Sequence, residues 1–132
     1  MSGKQLGSGL AAGLVMFGLS GVYHTMLFAD VFAPAEGAAA PEPNMVVIGL
    51  AFVILGLMMA HMYPKGYKGG PAMSEGARFG CTIGLLWVVP LSMIMVAVGE
   101  LTWTILAYDV PYHALEGAIG GIIIAKMHGG SA

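Results

Sequence analysis

The sequence predicts an all-α membrane protein of four transmembrane helices, and three observations carry that expectation. First, 58% of the 132 residues are hydrophobic and only 9% charged, with a mean hydropathy of +0.83, whereas an ordinary soluble domain carries roughly 25% charged residues. Second, the apolar residues fall in runs of about 20, the length at which a helix crosses a hydrocarbon core roughly 30 Å thick. Third, the five basic residues stand only where those runs begin or end. A soluble fold of this size could not hide so much apolar surface.

The first helix is "LGSGLAAGLVMFGLSGVYHTMLFA", 6–29, closed by Asp30 and the Ala/Pro/Glu-rich stretch "PAEGAAAPEPN", which reads as an exposed loop. It is longer than a signal-peptide core of roughly 7–15 residues, so it reads as a mature helix. The second, "MVVIGLAFVILGLMMAHMY", 45–63, is expected to stop at Pro64, ahead of "KGYKGGPAMSE", where glycine and proline break regular structure. The third runs from about Gly76 to Val98, with a kink expected at Pro90, whose ring removes a backbone donor and crowds the Leu86 carbonyl.

The fourth element has two readings. In one, Gly99-Glu100 is a tight turn and a single helix runs 101–126, about 38 Å long, passing through Pro111. In the other, Asp109 is an N-cap with Pro111 in the first turn, leaving "LTWTILAY" as an interfacial segment. The first is favoured, because "LTWTILAY" has no charge with which to build the polar face of an interfacial helix.

Lys4, Lys65, Lys68, Arg78 and Lys126 share one side of such a four-span chain, while the loop 30–44 and the turn at 99–100 contain no basic residue. The positive-inside rule then places both termini in the cytoplasm. Arg78, just inside the third helix, is expected to reach outward beside Glu75. The two halves also show a weak likeness: "GLMMAHM" from Gly56 lines up with "GIIIAKM" from Gly121, and Gly9-x-x-x-Gly13 echoes Gly76-x-x-x-Gly80.

The net charge of −2 offers no basic patch to nucleic acid. The single cysteine, Cys81, excludes an intramolecular disulfide and reads as a small buried hydrophobe. A first helix ending in "LFADVF", then "SEGARFGCTIGLL" and a last helix ending "GAIGGIIIAKMHG", resembles a family of small four-span bacterial membrane proteins with no assigned activity. The resemblance covers most of the chain. It implies an inner-membrane location and carries over no cofactor or catalytic residue.

Chemistry concentrates in "YDVPYHALEG", 108–117. In a continuous helix Asp109, His113, Glu116 and Gly120 are spaced i, i+4, i+7, i+11 and share one face. An ionisable residue at the bilayer centre costs roughly 2.5–3.5 kcal/mol on insertion scales, so this face should turn toward protein and find partners. His24, about 9 Å along the first helix from Asp30 by helical rise, is the expected partner, with Tyr23 and Tyr112 supplying hydroxyls. Two imidazoles and two carboxylates suit a buried hydrogen-bond network, a proton or ion path, or a transition-metal site with His24, His113 and Glu116 as ligand candidates. Either imidazole alone could be an axial ligand to haem or a chlorophyll-type pigment.

Gly9 and Gly13, and Gly76, Gly80 and Gly84, form smooth strips expected to pack closely against another helix of this or another chain. Met58, Met59 and Met62 around His61 invite a Cu(I) reading, but methionine also fills irregular apolar gaps. His128 is expected to be exposed, Trp103 to sit in an aromatic belt, and Trp87 to face a partner helix or lipid. No nucleophile with its base, phosphate loop or closed zinc motif is legible, so no enzyme is expected. The sequence therefore points first to a small accessory subunit packing in the bilayer with other membrane subunits or with itself, then to a channel or transporter, then to a haem- or pigment-binding subunit.

Overall fold

The computed structural model describes residues 1–33 and 42–128, and every regular element among them is helical. Residues 34–41 of the expected exposed loop, Glu36 among them, lie outside the described residues.

Helix α1, Gly3–Val22, starts on a reciprocal cap: the Ser2 hydroxyl accepts from the Gln5 N–H and the Gln5 side chain accepts from the Ser2 N–H. It does not run evenly to residue 29. At Tyr23–Leu27 the chain widens into a π-helical turn, in which the Phe28 N–H reaches the Tyr23 carbonyl at 3.0 Å. Phe28 then leaves helical geometry, and α2, Ala29–Phe32, is a separate short turn.

Helix α3, Met45–Gly66, is capped by Asn44, whose side chain accepts from the N–H groups of Val46 and Val47. It continues through Pro64, which therefore does not stop it; in the last turn a proline forfeits a single backbone bond and leaves the rest of the ladder intact. Helix α4, Ala72–Ala97, begins ahead of the expected Gly76, directly after Pro71. Glu75 in its first turn suits the positive end of the helix dipole and holds Arg78 at 2.9 Å. The helix is continuous through Pro90.

Gly99, at φ 83°, makes the turn into the last element. Helix α5, Trp103–Met127, is capped by the Thr102 hydroxyl, which accepts from the Ile105 N–H at 3.3 Å. The N-cap reading of Asp109 is thereby overturned: Asp109 and Pro111 are inside the helix, and "LTWTILAY" supplies its cap and first turns.

Among the described residues, three elements are long and apolar enough to cross a membrane: Gly3–Leu27 (α1 with its π turn), Met45–Gly66 and Ala72–Ala97. Helix α5 matches them in length, but its middle carries Asp109, His113 and Glu116. The contacts below make α1 antiparallel to α3 and α5, and α4 antiparallel to α5. Lys4, Lys65, Lys68, Arg78 and Lys126 consequently gather at one end, and Asp30, Glu42 and Glu100 at the other.

Glycine sets the closest approaches. A Cβ on Gly13 would lie 2.6 Å from the Phe52 carbonyl oxygen, and one on Gly9 2.8 Å from the Leu57 Cα. On the other pair, a Cβ on Gly76 would lie 2.6 Å from the Gly121 carbonyl, and Cβ atoms on Gly80 and Gly84 would run into the carbonyls of Gly117 and His113. Both strips thus meet partners within this chain, α1 on α3 and α4 on α5. The two hairpins close in the same register: Gly56 seats between Gly9 and Gly13 as Gly121 does between Gly76 and Gly80.

The hairpins join mainly through α1 and α5, around the buried core residues Ala12, Met16, Met59, Ala60, Ile124 and Ala125. Met16 fills the space over Gly120, where a Cβ would lie 2.6 Å from its sulfur. The corresponding junction of α3 with α4 stays open as an apolar groove of about 380 Å³, lined by residues such as Ile54, Met58, Met62, Leu86 and Trp87.

Candidate functional site: a polar cluster between α1 and α5

Along α5 each residue turns about 100°, so Asp109, His113 and Glu116 fall within roughly 60° of one another. That face meets α1 at its π turn, which presents His24. The His24 Nε2 lies 3.0 Å from the Asp109 Oδ1, and the His113 Nε2 lies 3.4 Å from the same oxygen. The expected cross-helix pair of His24 and Asp109 is therefore formed.

Behind these atoms the imidazoles are held from their other nitrogens. The His24 Nδ1 lies 2.9 Å from the Ser20 carbonyl, with the Ser20 hydroxyl at 3.2 Å. The His113 Nδ1 lies 2.7 Å from the Glu116 Oε2, and the Tyr112 hydroxyl donates to the Glu116 Oε1 at 2.6 Å. Glu116 is almost fully buried at 2% exposure and His113 is at 7%; the Asp109 and His24 side chains are at 14% and 26%. A carboxyl group this deeply buried needs a partner on each oxygen, and Tyr112 and His113 supply them.

Aromatic rings wall the cluster. Tyr23 and Tyr112 stack with centroids 3.8 Å apart, and Phe32 from α2 lies 4.4 Å from the His24 ring. The Tyr23 hydroxyl donates to the Tyr108 carbonyl at 2.8 Å. Pro111, having no N–H, frees the carbonyl of Ala107; the carbonyl used is one residue further, about 100° round the helix.

The structure regroups the expected ligands. One donor atom each from His24, Asp109 and His113 lies within 4.8 Å of the others. Glu116, placed with the ligand candidates from sequence, instead backs His113 from the far side, because a residue three positions on in a helix meets the Nδ1 edge of the ring. Both Nε2 atoms face Asp109, so neither imidazole presents its lone pair to a planar macrocycle without turning. Ser20 was not singled out from the sequence, although its place four residues before His24 is the spacing at which helical side chains meet. Phe32 carried no sequence signal, since it depends on the break at Phe28.

Elsewhere, the methionine group divides. Met59 is buried in the core while Met58 and Met62 face outward, and His61 pairs with Lys65 at 2.9 Å. His128 is not simply exposed: it is partly buried, with its Nδ1 on the Ile124 carbonyl at 3.0 Å, which closes the end of α5. Trp87 lines the α3–α4 groove and Trp103 is largely exposed.

Among curated proteins, the chain is similar to NADH-quinone oxidoreductase subunit N 1 of Sorangium cellulosum (strain So ce56), 33% identical over 108 residues. The alignment covers 72% of this chain and 21% of that protein, so the chain spans about a fifth of the relative's length. No protein-family model matches the chain, and no solved structure matches it.

Proposed function

We propose that the protein is a small four-span subunit of a larger bacterial inner-membrane assembly, with both termini in the cytoplasm. The observation that carries this reading is the open α3–α4 groove. The equivalent α1–α5 junction is filled by side chains of this chain, whereas the groove is lined by Ile54, Met58, Met62, Leu86 and Trp87 and accepts an apolar helix of another subunit. Short described connections leave recognition to such lateral surfaces. The partial likeness to a protein named as a subunit of an NADH-quinone oxidoreductase supports the same reading, as does the gathering of all five basic residues at one end.

A photo-crosslinking residue at Leu86, followed by gentle native purification and mass spectrometry, is expected to capture a membrane protein. Capture of this chain alone would make the assembly a homo-oligomer, and recovery of an uncrosslinked monomer would refute the reading. For topology, single cysteines in a Cys81→Ser background are expected to label from outside at Glu42→Cys and only from within at Lys68→Cys. The reverse pattern would invert the orientation.

A second reading rests on the cluster. His24, Asp109, His113, Glu116 and Tyr112 form a continuous run of proton-exchanging groups across two helices, which suits a proton or ion path completed at a subunit junction. Proteoliposomes of the native protein would then show flux that Asp109→Asn abolishes. Equal flux from both proteins would exclude it.

A further inference from the structure

We propose that His24 Nε2, His113 Nε2 and Asp109 Oδ1 form a binding site for a divalent first-row transition-metal ion. The Ser20 carbonyl and the Glu116 carboxylate hold the two imidazoles in the ligating tautomer. This goes beyond the subunit reading and does not depend on it.

Hydrogen accounting leads to the site. A backbone carbonyl can only accept, so the His24 Nδ1, 2.9 Å from the Ser20 carbonyl, carries the hydrogen of a neutral ring. The Glu116 carboxylate already accepts from the Tyr112 hydroxyl on one oxygen and lies 2.7 Å from the His113 Nδ1 on the other, so that nitrogen is a donor too. In both neutral imidazoles the remaining nitrogen, Nε2, then offers a lone pair. Those two lone pairs and an Asp109 oxygen converge within 4.8 Å. Three acceptors facing one another need an electrophile between them.

A divalent ion meets that need in charge and in shape. With two neutral imidazoles and the carboxylates of Asp109 and Glu116, an ion of charge +2 makes the cluster electroneutral, which a low-dielectric setting demands. Metal–ligand bonds of 2.0–2.2 Å imply tetrahedral edges of about 3.3–3.6 Å. The two nitrogen-to-oxygen edges here are 3.0 and 3.4 Å. Two imidazoles and one carboxylate suit zinc or iron(II) and leave a coordination position open. A metal-bound imidazole that passes its other N–H to a carboxylate or carbonyl is the recurrent supporting arrangement, and both rings have it.

The test is a Co²⁺ titration of the detergent-purified, chelator-stripped full chain. One equivalent is expected to bind, with the visible ligand-field band of a four- or five-coordinate ion, and Zn²⁺ is expected to displace it. His24→Ala, at the most exposed member of the cluster, should weaken binding at least about a hundredfold while circular dichroism stays native. Glu116→Gln should weaken it about 10–100-fold through loss of the carboxylate charge behind the His113 ring, and His61→Ala should leave it unchanged. Absence of stoichiometric binding by the native chain would overturn the proposal in favour of a cluster closed by protons, two imidazolium rings against two carboxylates. Binding that survives His24→Ala, or that disappears with His61→Ala, would overturn it as well.

Discussion

Gly80→Leu is expected to undo the α4–α5 pair, while Gly18→Leu leaves the protein folded. Both are glycines in the middle of α1 or α4, so helix propensity does not separate them. What differs is the space. A Cβ on Gly80 would run into the Gly117 carbonyl and lie 3.0 Å from the Ala118 Cα, whereas one on Gly18 meets nothing within 4 Å. Overpacking a well-filled interior typically costs about 1–3 kcal/mol when side chains can shift. Here the obstacle is backbone, and relief requires the helices to separate, so a loss at or above the top of that range is expected. Thermal unfolding in mild detergent checks it: Gly18→Leu should melt within a few degrees of the native protein and Gly80→Leu should aggregate or fail to accumulate. Equal behaviour of the two variants would show that α4 and α5 do not meet along this strip.

Glu116→Leu is expected to be the most damaging change in the polar cluster. It removes the acceptor of two donors at once, the His113 Nδ1 and the Tyr112 hydroxyl, at a position only 2% exposed. Breaking a buried charged pair by deleting one partner costs about 3–5 kcal/mol, because the group left behind remains buried without compensation. Asp109→Leu should cost less, since its side chain is 14% exposed and its partner His24, at 26%, is the least enclosed member of the cluster. Glu100→Leu, in the exposed turn before α5, should have no measurable effect on stability. Comparative melting of the three variants decides the order, and a Glu116→Leu protein as stable as Glu100→Leu would mean that His113 and Tyr112 find other partners.

The halves of the molecule show where sequence pattern carries information and where it fades. Gly9-x-x-x-Gly13 and Gly76-x-x-x-Gly80-x-x-x-Gly84 were readable because spacing by four keeps residues on one helical face whatever surrounds the helix. Their partners, Gly56 with Phe52 on α3 and Gly117 with Gly121 on α5, depend on which helices meet, and periodicity does not specify that. The same division runs through the polar cluster. Asp109, His113 and Glu116 had to share a face once α5 was a single helix, and His24 was the histidine at a matching height. Which nitrogen faces which oxygen was settled by the π turn at Tyr23–Leu27 and by the Ser20 carbonyl.

Element ends were the weakest reading, for local reasons. Pro64 was expected to terminate α3, yet one lost backbone bond in a last turn does not outweigh the bonds before it. The helix that begins at Ala72 was expected later because Gly69, Gly70 and Pro71 look like breakers, although a proline directly before a helix costs that helix no hydrogen bond.

By itself the sequence determined the class of object: runs of about 20 apolar residues, broken by glycine, proline and charge, admit helices in a membrane and little else, because unpaired backbone polar groups are too costly in hydrocarbon. It also determined that one face of the last helix is polar and that basic residues share one end. Only the tertiary structure decided that each glycine strip is used within the chain, that the α1–α5 junction closes while α3–α4 stays open, and that Glu116 stands behind His113 instead of beside Asp109. Spacing along a helix specifies angle and height about one axis. Contacts between helices depend on the relative shift and rotation of two axes, which side-chain volumes and hydrogen bonds choose together.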